Sequence, residues 1–158
     1  MKYKIVLTVL VCVLLLSSLP AVANDGEGKH DCTCTMRDVA GTWGYSETGS
    51  IIPSPGVVIP YGSVGKYTID RDGNLTGART ASMGGTITPA TIEGTATVNP
   101  DCTGTLTLYF YDDEGTLTGG AVKSVVYLNG ATEARMIVTF PENVTVLITD
   151  AKKLSPKE

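Results

Sequence analysis

Thr105-Leu106-Thr107-Leu108-Tyr109-Phe110-Tyr111 decides the fold. Leu106, Leu108 and Phe110 alternate with Thr105, Thr107, Tyr109 and Tyr111, so one face is apolar and the other carries hydroxyls. That two-residue period marks a strand with one face against a core. Branched Thr and aromatic Tyr reinforce it, because both fit a pleated surface. Pro100-Asp101-Cys102-Thr103-Gly104 precedes the stretch and Asp112-Asp113-Glu114-Gly115 follows it, and both are turn chemistry.

The same logic extends in both directions. Upstream, Thr86 to Asn99 places Ile92, Gly94, Ala96 and Val98 on one face and Glu93, Thr95 and Thr97 on the other. Pro89 and Gly94 predict a break or bulge within it. Met83-Gly84-Gly85 and Arg71-Asp72-Gly73-Asn74 are turns around Leu75 to Ser82, and Gly65, Tyr67 and Ile69 share a face before them. Ile51 to Tyr61 contains Pro53, Pro55 and Pro60, which predicts a loop with at most a short edge strand. Val39, Gly41, Trp43 and Tyr45 alternate with Ala40, Thr42 and Gly44 as the first strand.

Downstream, Ala121 to Leu128 is closed by Asn129-Gly130, a strong hairpin signal. Glu133 to Phe140 and Val144 to Thr149 form the last pair around Pro141-Glu142-Asn143. About eight strands joined by short turns predict an all-β, antiparallel up-and-down barrel, which removes the edges of an open sheet. A β-sandwich is the competing architecture. Residues 36–150 are the expected barrel domain, and the Lys/Pro/Glu-rich 151–158 a disordered tail.

The first residues indicate where the protein works. Lys2 and Lys4 precede the apolar run Ile5 to Leu16, and Ala21-Val22-Ala23 is a small-x-small cleavage site. Residues 1–23 are therefore expected to be a signal peptide cleaved after Ala23, giving a secreted or periplasmic protein. Residues 24–35 are polar and aperiodic, an expected N-terminal arm. The formal charge of −4 becomes −6 once Lys2 and Lys4 leave, which argues against nucleic acid and anionic membranes as partners. No second long apolar segment predicts a membrane span in the mature chain. Threonine, at 22 residues, outnumbers the 18 glycines, a balance that favours strands and turns.

Two local patterns resemble known families. Val39-Ala40-Gly41-Thr42-Trp43 resembles the Gly-x-Trp signature opening the first strand of lipocalins and other calycins, whose Trp packs across the closed barrel end. Arg135 lies on a late strand and is the candidate substitute for that family's Arg over the Trp, but the motif around it and the family's Thr-Asp-Tyr turn are not matched. A longer resemblance combines Val64-Gly65-Lys66-Tyr67-Thr68-Ile69-Asp70, Asp72 to Gly77, and Gly94 to Leu106 with its Asp101-Cys102-Thr103-Gly104-Thr105 turn. These are similar to small secreted bacterial proteins with calycin-like or allene-oxide-cyclase-like barrels, over roughly residues 32–149. The stretch 50–61 and the Cys-x-Cys depart from that pattern. The resemblance implies a fold and no established activity.

Cysteines carry the clearest local chemistry. His30, Cys32 and Cys34 form His-x-Cys-x-Cys, and Cys102 completes a possible zinc or copper(I) set. An oxidising compartment favours a disulfide from Cys32 or Cys34 to Cys102 instead, with no metal. The resemblance points to Cys32, with Cys34 the alternative, and the spare thiol offers a link to a second chain. His30 is the only histidine, so a catalytic triad has no ordered base. No P-loop, EF-hand or dinucleotide fingerprint is present, so no cofactor is expected. Asp112-Asp113-Glu114 and Asp70/Asp72 are turn acids.

Trp43, Tyr45, Tyr67, Tyr109 and Arg135 remain as candidate lumen residues for a small apolar ligand, with Tyr111, Arg79 and Glu93 beside them. Trp43 and Tyr67 equally suit a filled core. Three functions follow. The leading one is a binder of a small apolar molecule or an extracytoplasmic interaction module. The second is an allene-oxide-cyclase-like isomerase in which Glu93, Tyr109 or Arg135 polarises the substrate. The third is a structural cell-surface domain without a ligand. A lumen of roughly 300 Å³ or more separates the first two from the third.

Overall fold

The computed structural model describes residues 33–141 and 144–156. The expected signal peptide, most of the expected arm, His30 and Cys32 lie outside the described residues. A four-residue helix α1 (Met36–Val39) precedes eight strands: β1 (Gly41–Ser54), β2 (Val57–Ile69), β3 (Asn74–Met83), β4 (Thr86–Val98), β5 (Thr103–Tyr111), β6 (Leu117–Leu128), β7 (Glu133–Phe140) and β8 (Thr145–Pro156). They form a closed barrel in sequence order, and all eight ladders are antiparallel.

Alternation sets the interior. Trp43, Tyr67, Ile69, Leu75, Ile92, Leu106, Leu108, Phe110, Val125, Tyr127 and Met136 are all buried and share one core. Glycine makes room where rings cross the wall: Tyr45 pairs with Gly65, and Tyr67 with Gly77. A Cβ at Gly65 would lie 2.7 Å from the Tyr45 ring.

One end of the barrel is closed by α1 and a staple. The Asp38 carboxylate accepts the Thr35 N–H at 2.8 Å and its hydroxyl at 2.6 Å, fixing the helix start. Those bonds hold the Asp38 carboxyl below its ordinary value. Trp43 Nε1 donates to the Val39 carbonyl at 2.9 Å, which ties β1 to the helix. Cys34 and Cys102 form a disulfide across Cα atoms 5.0 Å apart, beside a Cys34 N–H bond to the Pro100 carbonyl.

Several expectations are corrected. Cys102 pairs with Cys34, the alternative partner, because the Pro100 contact brings Cys34 beside that turn. Residues 51–54 and 57–60 belong to the paired strands β1 and β2, with Pro55-Gly56 as the turn between Ser54 and its partner Val57. β4 runs through Pro89 and Gly94 in unbroken register with β3. Residues 151–156 are strand rather than tail: β8 closes the barrel on β1, from Ile51 opposite Thr145 to Gly41 opposite Pro156. Buried Leu147, Thr149 and Ala151 carry the inward phase up to the charged pair Lys152-Lys153.

Candidate functional site

The inward phase of β1 passes through Trp43 and Tyr45 to Glu47, and that of β6 through Val125 to Lys123. Both charges therefore enter the barrel. Lys123 Nζ donates to Glu47 Oε1 and, at 2.9 Å, to Thr149 Oγ1. The Thr149 hydroxyl donates to Glu47 Oε1 at 2.9 Å, and the Ser63 hydroxyl to Oε2 at 3.2 Å. Glu47, Ser63, Lys123 and Thr149 are all buried. Burial pushes the Lys123 ammonium below its ordinary 10.5, against the pull of Glu47. The ammonium also lies 5.7 Å from the centre of the Tyr45 ring.

A second polar group sits above this cluster. Arg79 Nη1 donates to the Tyr61 hydroxyl at 2.8 Å, and its guanidinium lies 3.5 Å from the centre of the Phe110 ring. That stacking suits a planar, weakly hydrated cation. Burial raises the phenols of Tyr45, Tyr61, Tyr67 and Tyr127, Tyr67 well above its ordinary value.

The aromatic candidates divide. Trp43, Tyr45 and Tyr67 face inward and come together, Trp43 6.5 Å from Tyr67 and Tyr45 5.7 Å from Tyr67 between ring centres. Glu93 and Tyr109 are cross-strand neighbours on the exposed outer wall. Arg135 is exposed on β7 and bonded to Asp150. The expectation that these three point into a lumen is thereby corrected: each occupies the outward phase of its strand. Lys153, not Arg135, lies over Trp43, its Nζ 5.3 Å from the ring centre and bonded to the Asp38 carbonyl.

The cavity enclosed by Tyr45, Tyr67, Leu106, Lys123, Met136 and Thr149 measures about 10 Å³, room for about one water. A groove of about 660 Å³ instead opens beside Val64, Lys66, Ala78, Thr80, Pro89 and Thr91. Those side chains are exposed on β2, β3 and β4, and the lining includes Tyr45 and Arg79. Asp113, from the β5–β6 turn, stands at its margin. A second groove, about 320 Å³, shares Val64 and Thr80 and runs toward Ile87. Sequence reasoning missed Glu47, Ser63, Lys123 and Thr149. The signal for Lys123 was present in the two-residue period it shares with Val125 and Tyr127.

No protein-family model and no curated protein matches the chain. Among solved structures it is similar to a redesigned β-barrel, mFAP1, bound to DFHBI, at 18% identity and a TM-score of 0.49. That match covers 75% of this chain and 98% of the other. It is also similar to EF1p2_mFAP2b bound to DFHBI, at 13% identity and a TM-score of 0.46, covering 77% and 100% respectively.

Proposed function

We propose that this barrel is an extracytoplasmic binding module that holds a small, mostly apolar molecule in the groove on the outer wall of β2–β4. The supporting observation is the contrast in volume: about 660 Å³ outside against about 10 Å³ in the interior cavity. Small-molecule sites usually occupy 300–1,000 Å³, apolar with a few placed polar groups. Val64, Ala78 and Pro89 supply the apolar surface; Lys66, Thr80 and Asp113 supply polar margins. Lys2, Lys4, the Ile5–Leu16 run and Ala21-Val22-Ala23 support export, as does a disulfide of this kind.

The test is fluorescence titration with N-phenyl-1-naphthylamine, a neutral apolar probe. Ala78→Arg fills the groove and should abolish the signal, while Met136→Ala, which enlarges the interior, should leave it intact. Loss with Met136→Ala and retention with Ala78→Arg would move the site into the lumen and overturn the proposal. Absence of binding by the unsubstituted protein would favour the structural cell-surface domain. Export is tested separately by N-terminal sequencing of protein recovered from its host, with Asn24 expected first.

A further inference from the structure

In an up-and-down barrel the turns β1–β2, β3–β4, β5–β6 and β7–β8 all lie at one end. Here exposed apolar residues gather at that end, together with the acidic β5–β6 turn Asp112-Asp113-Glu114. Between Glu47 and Lys66 the chain carries no charged residue, and the hairpin β1–β2 lies entirely within this stretch at its tip. Val57 and Val58 at the tip are 45% and 62% exposed. Met83 and Ile87 flank the β3–β4 turn, Leu117 follows the β5–β6 turn and Phe140 ends β7, all exposed. Scattered exposed apolar residues are ordinary, but exposed ones beside all four turns of one end form the kind of grouping that marks contact surfaces.

The hairpin also projects. Pairing of β2 with β3 begins only at Tyr61 opposite Met83, so Val57 to Pro60 extend past the β3 strand end. Their partner strand is held at its base by the Ile52 N–H to the Val144 carbonyl, 2.7 Å. Pro53, Pro55 and Pro60 have no backbone N–H, and the Pro60 carbonyl accepts from Gly84 N–H at 2.9 Å. Proline here reduces the unpaired donors that an apolar medium would penalise. It also blocks the edge-to-edge strand pairing by which a second copy would dock.

We infer that this rim seats the protein on the interface of a zwitterionic lipid bilayer, with the Val57-Val58 tip entering the headgroup and acyl boundary. A convex, uncharged projection needs a partner that flows around it, which a fluid interface does and a folded protein surface does only with a matching pocket. Asp112, Asp113 and Glu114 on the β5–β6 turn at the same end, with the charge of −6 once Lys2 and Lys4 leave, select against anionic lipid. The Val57-Val58 tip is separate from the groove, whose lining side chains Val64, Lys66, Ala78 and Thr80 lie on the barrel wall, although Asp113 stands at the groove margin as well.

Flotation with phosphatidylcholine vesicles tests it on the full mature chain. Trp43 is the only tryptophan and is fully buried, so Val58→Trp gives a reporter confined to the tip. Its emission should move to shorter wavelength on adding vesicles. Replacing both tip valines (Val57→Asp with Val58→Asp) should weaken partition at least about tenfold. Ile137→Asp, on the exposed side wall, should leave it unchanged. Val57, Val58 and Ile137 are all exposed, so an unaltered circular dichroism spectrum will confirm folding. No flotation of the unsubstituted protein, equal weakening by Ile137→Asp, or a dimer in sedimentation that the tip aspartates dissolve would each overturn the inference.

Discussion

Glu47 and Lys123 bond to each other inside the barrel although 76 residues separate them, and both are almost wholly buried. Desolvating two charges costs several kcal/mol each, and their attraction offsets this only when the remaining lone pairs and protons are also bonded. Thr149 and Ser63 supply those bonds to Glu47.

Removing one partner should therefore be far worse than removing both. Lys123→Met alone leaves Glu47 as an uncompensated buried carboxylate and should cost about 3–5 kcal/mol. Glu47→Leu combined with Lys123→Met should recover most of that loss. Urea unfolding of the four species in this cycle measures it. Additive single losses would show that the two charges do not act as a pair.

The Cys34–Cys102 staple spans 68 residues of sequence, including all of β1 to β4. Closing a loop of that length restricts the unfolded chain by about 4 kcal/mol in the chain-entropy account. Reduction, or Cys34→Ala, should lower the denaturant midpoint accordingly. A non-reducing peptide map should recover Cys34 joined to Cys102. A map joining Cys32 to Cys102 would reassign the staple.

How far the sequence could be read depended on the kind of signal. Strands with strict alternation, such as Thr105 to Tyr111, were visible because the period is local. The extent of β1, β2 and β8 was not, because it depends on pairing across the barrel. Proline suggested a loop at 51–61, yet an edge that has outrun its neighbour tolerates proline. Lys152 and Lys153 suggested a frayed tail, but the β1 ladder and the Trp43 ring give that segment partners. The interior polar cluster was hidden for a related reason. A charged residue in an inward phase reads as surface until its opposite charge, on a distant strand, is placed beside it. Arg135, Glu93 and Tyr109 show the converse, attractive as chemistry but in the outward phase throughout.

Tyr45, Tyr61, Tyr67 and Tyr127 all have phenols raised from 10.0, with burial the leading cause. Below pH 10 each is neutral in both the folded and unfolded chain, so it has no effect on stability. Above pH 10 the unfolded phenols ionise while the folded ones resist, so stability should fall as pH rises. Denaturant midpoints between pH 8 and 11 should show this decline, and Tyr67→Phe should flatten it. Tyr127→Phe should flatten it too, and raise stability at neutral pH by about 1 kcal/mol, because its buried hydroxyl has no hydrogen-bond partner among the described residues. An unchanged alkaline limb in both variants would place the titrating groups elsewhere.

Gly65 tests how the wall accommodates its aromatic rings. A Cβ there would lie 2.6 Å from the Ala78 carbonyl oxygen as well as 2.7 Å from the Tyr45 ring. The ring can rotate away, but the carbonyl is held in the β2–β3 ladder. Gly65→Ala should therefore destabilise by about 1–3 kcal/mol, as overpacking does. Trimming the ring with Tyr45→Ala should not restore it, because the carbonyl clash persists. Gly119→Ala is the control: its Cβ would meet only the Phe110 ring, at 4.0 Å, so it should be neutral or slightly stabilising. Melting temperatures of the three variants decide the matter. Equal effects at Gly65 and Gly119 would mean that loss of glycine's flexibility, rather than the close approach of β3, governs both positions.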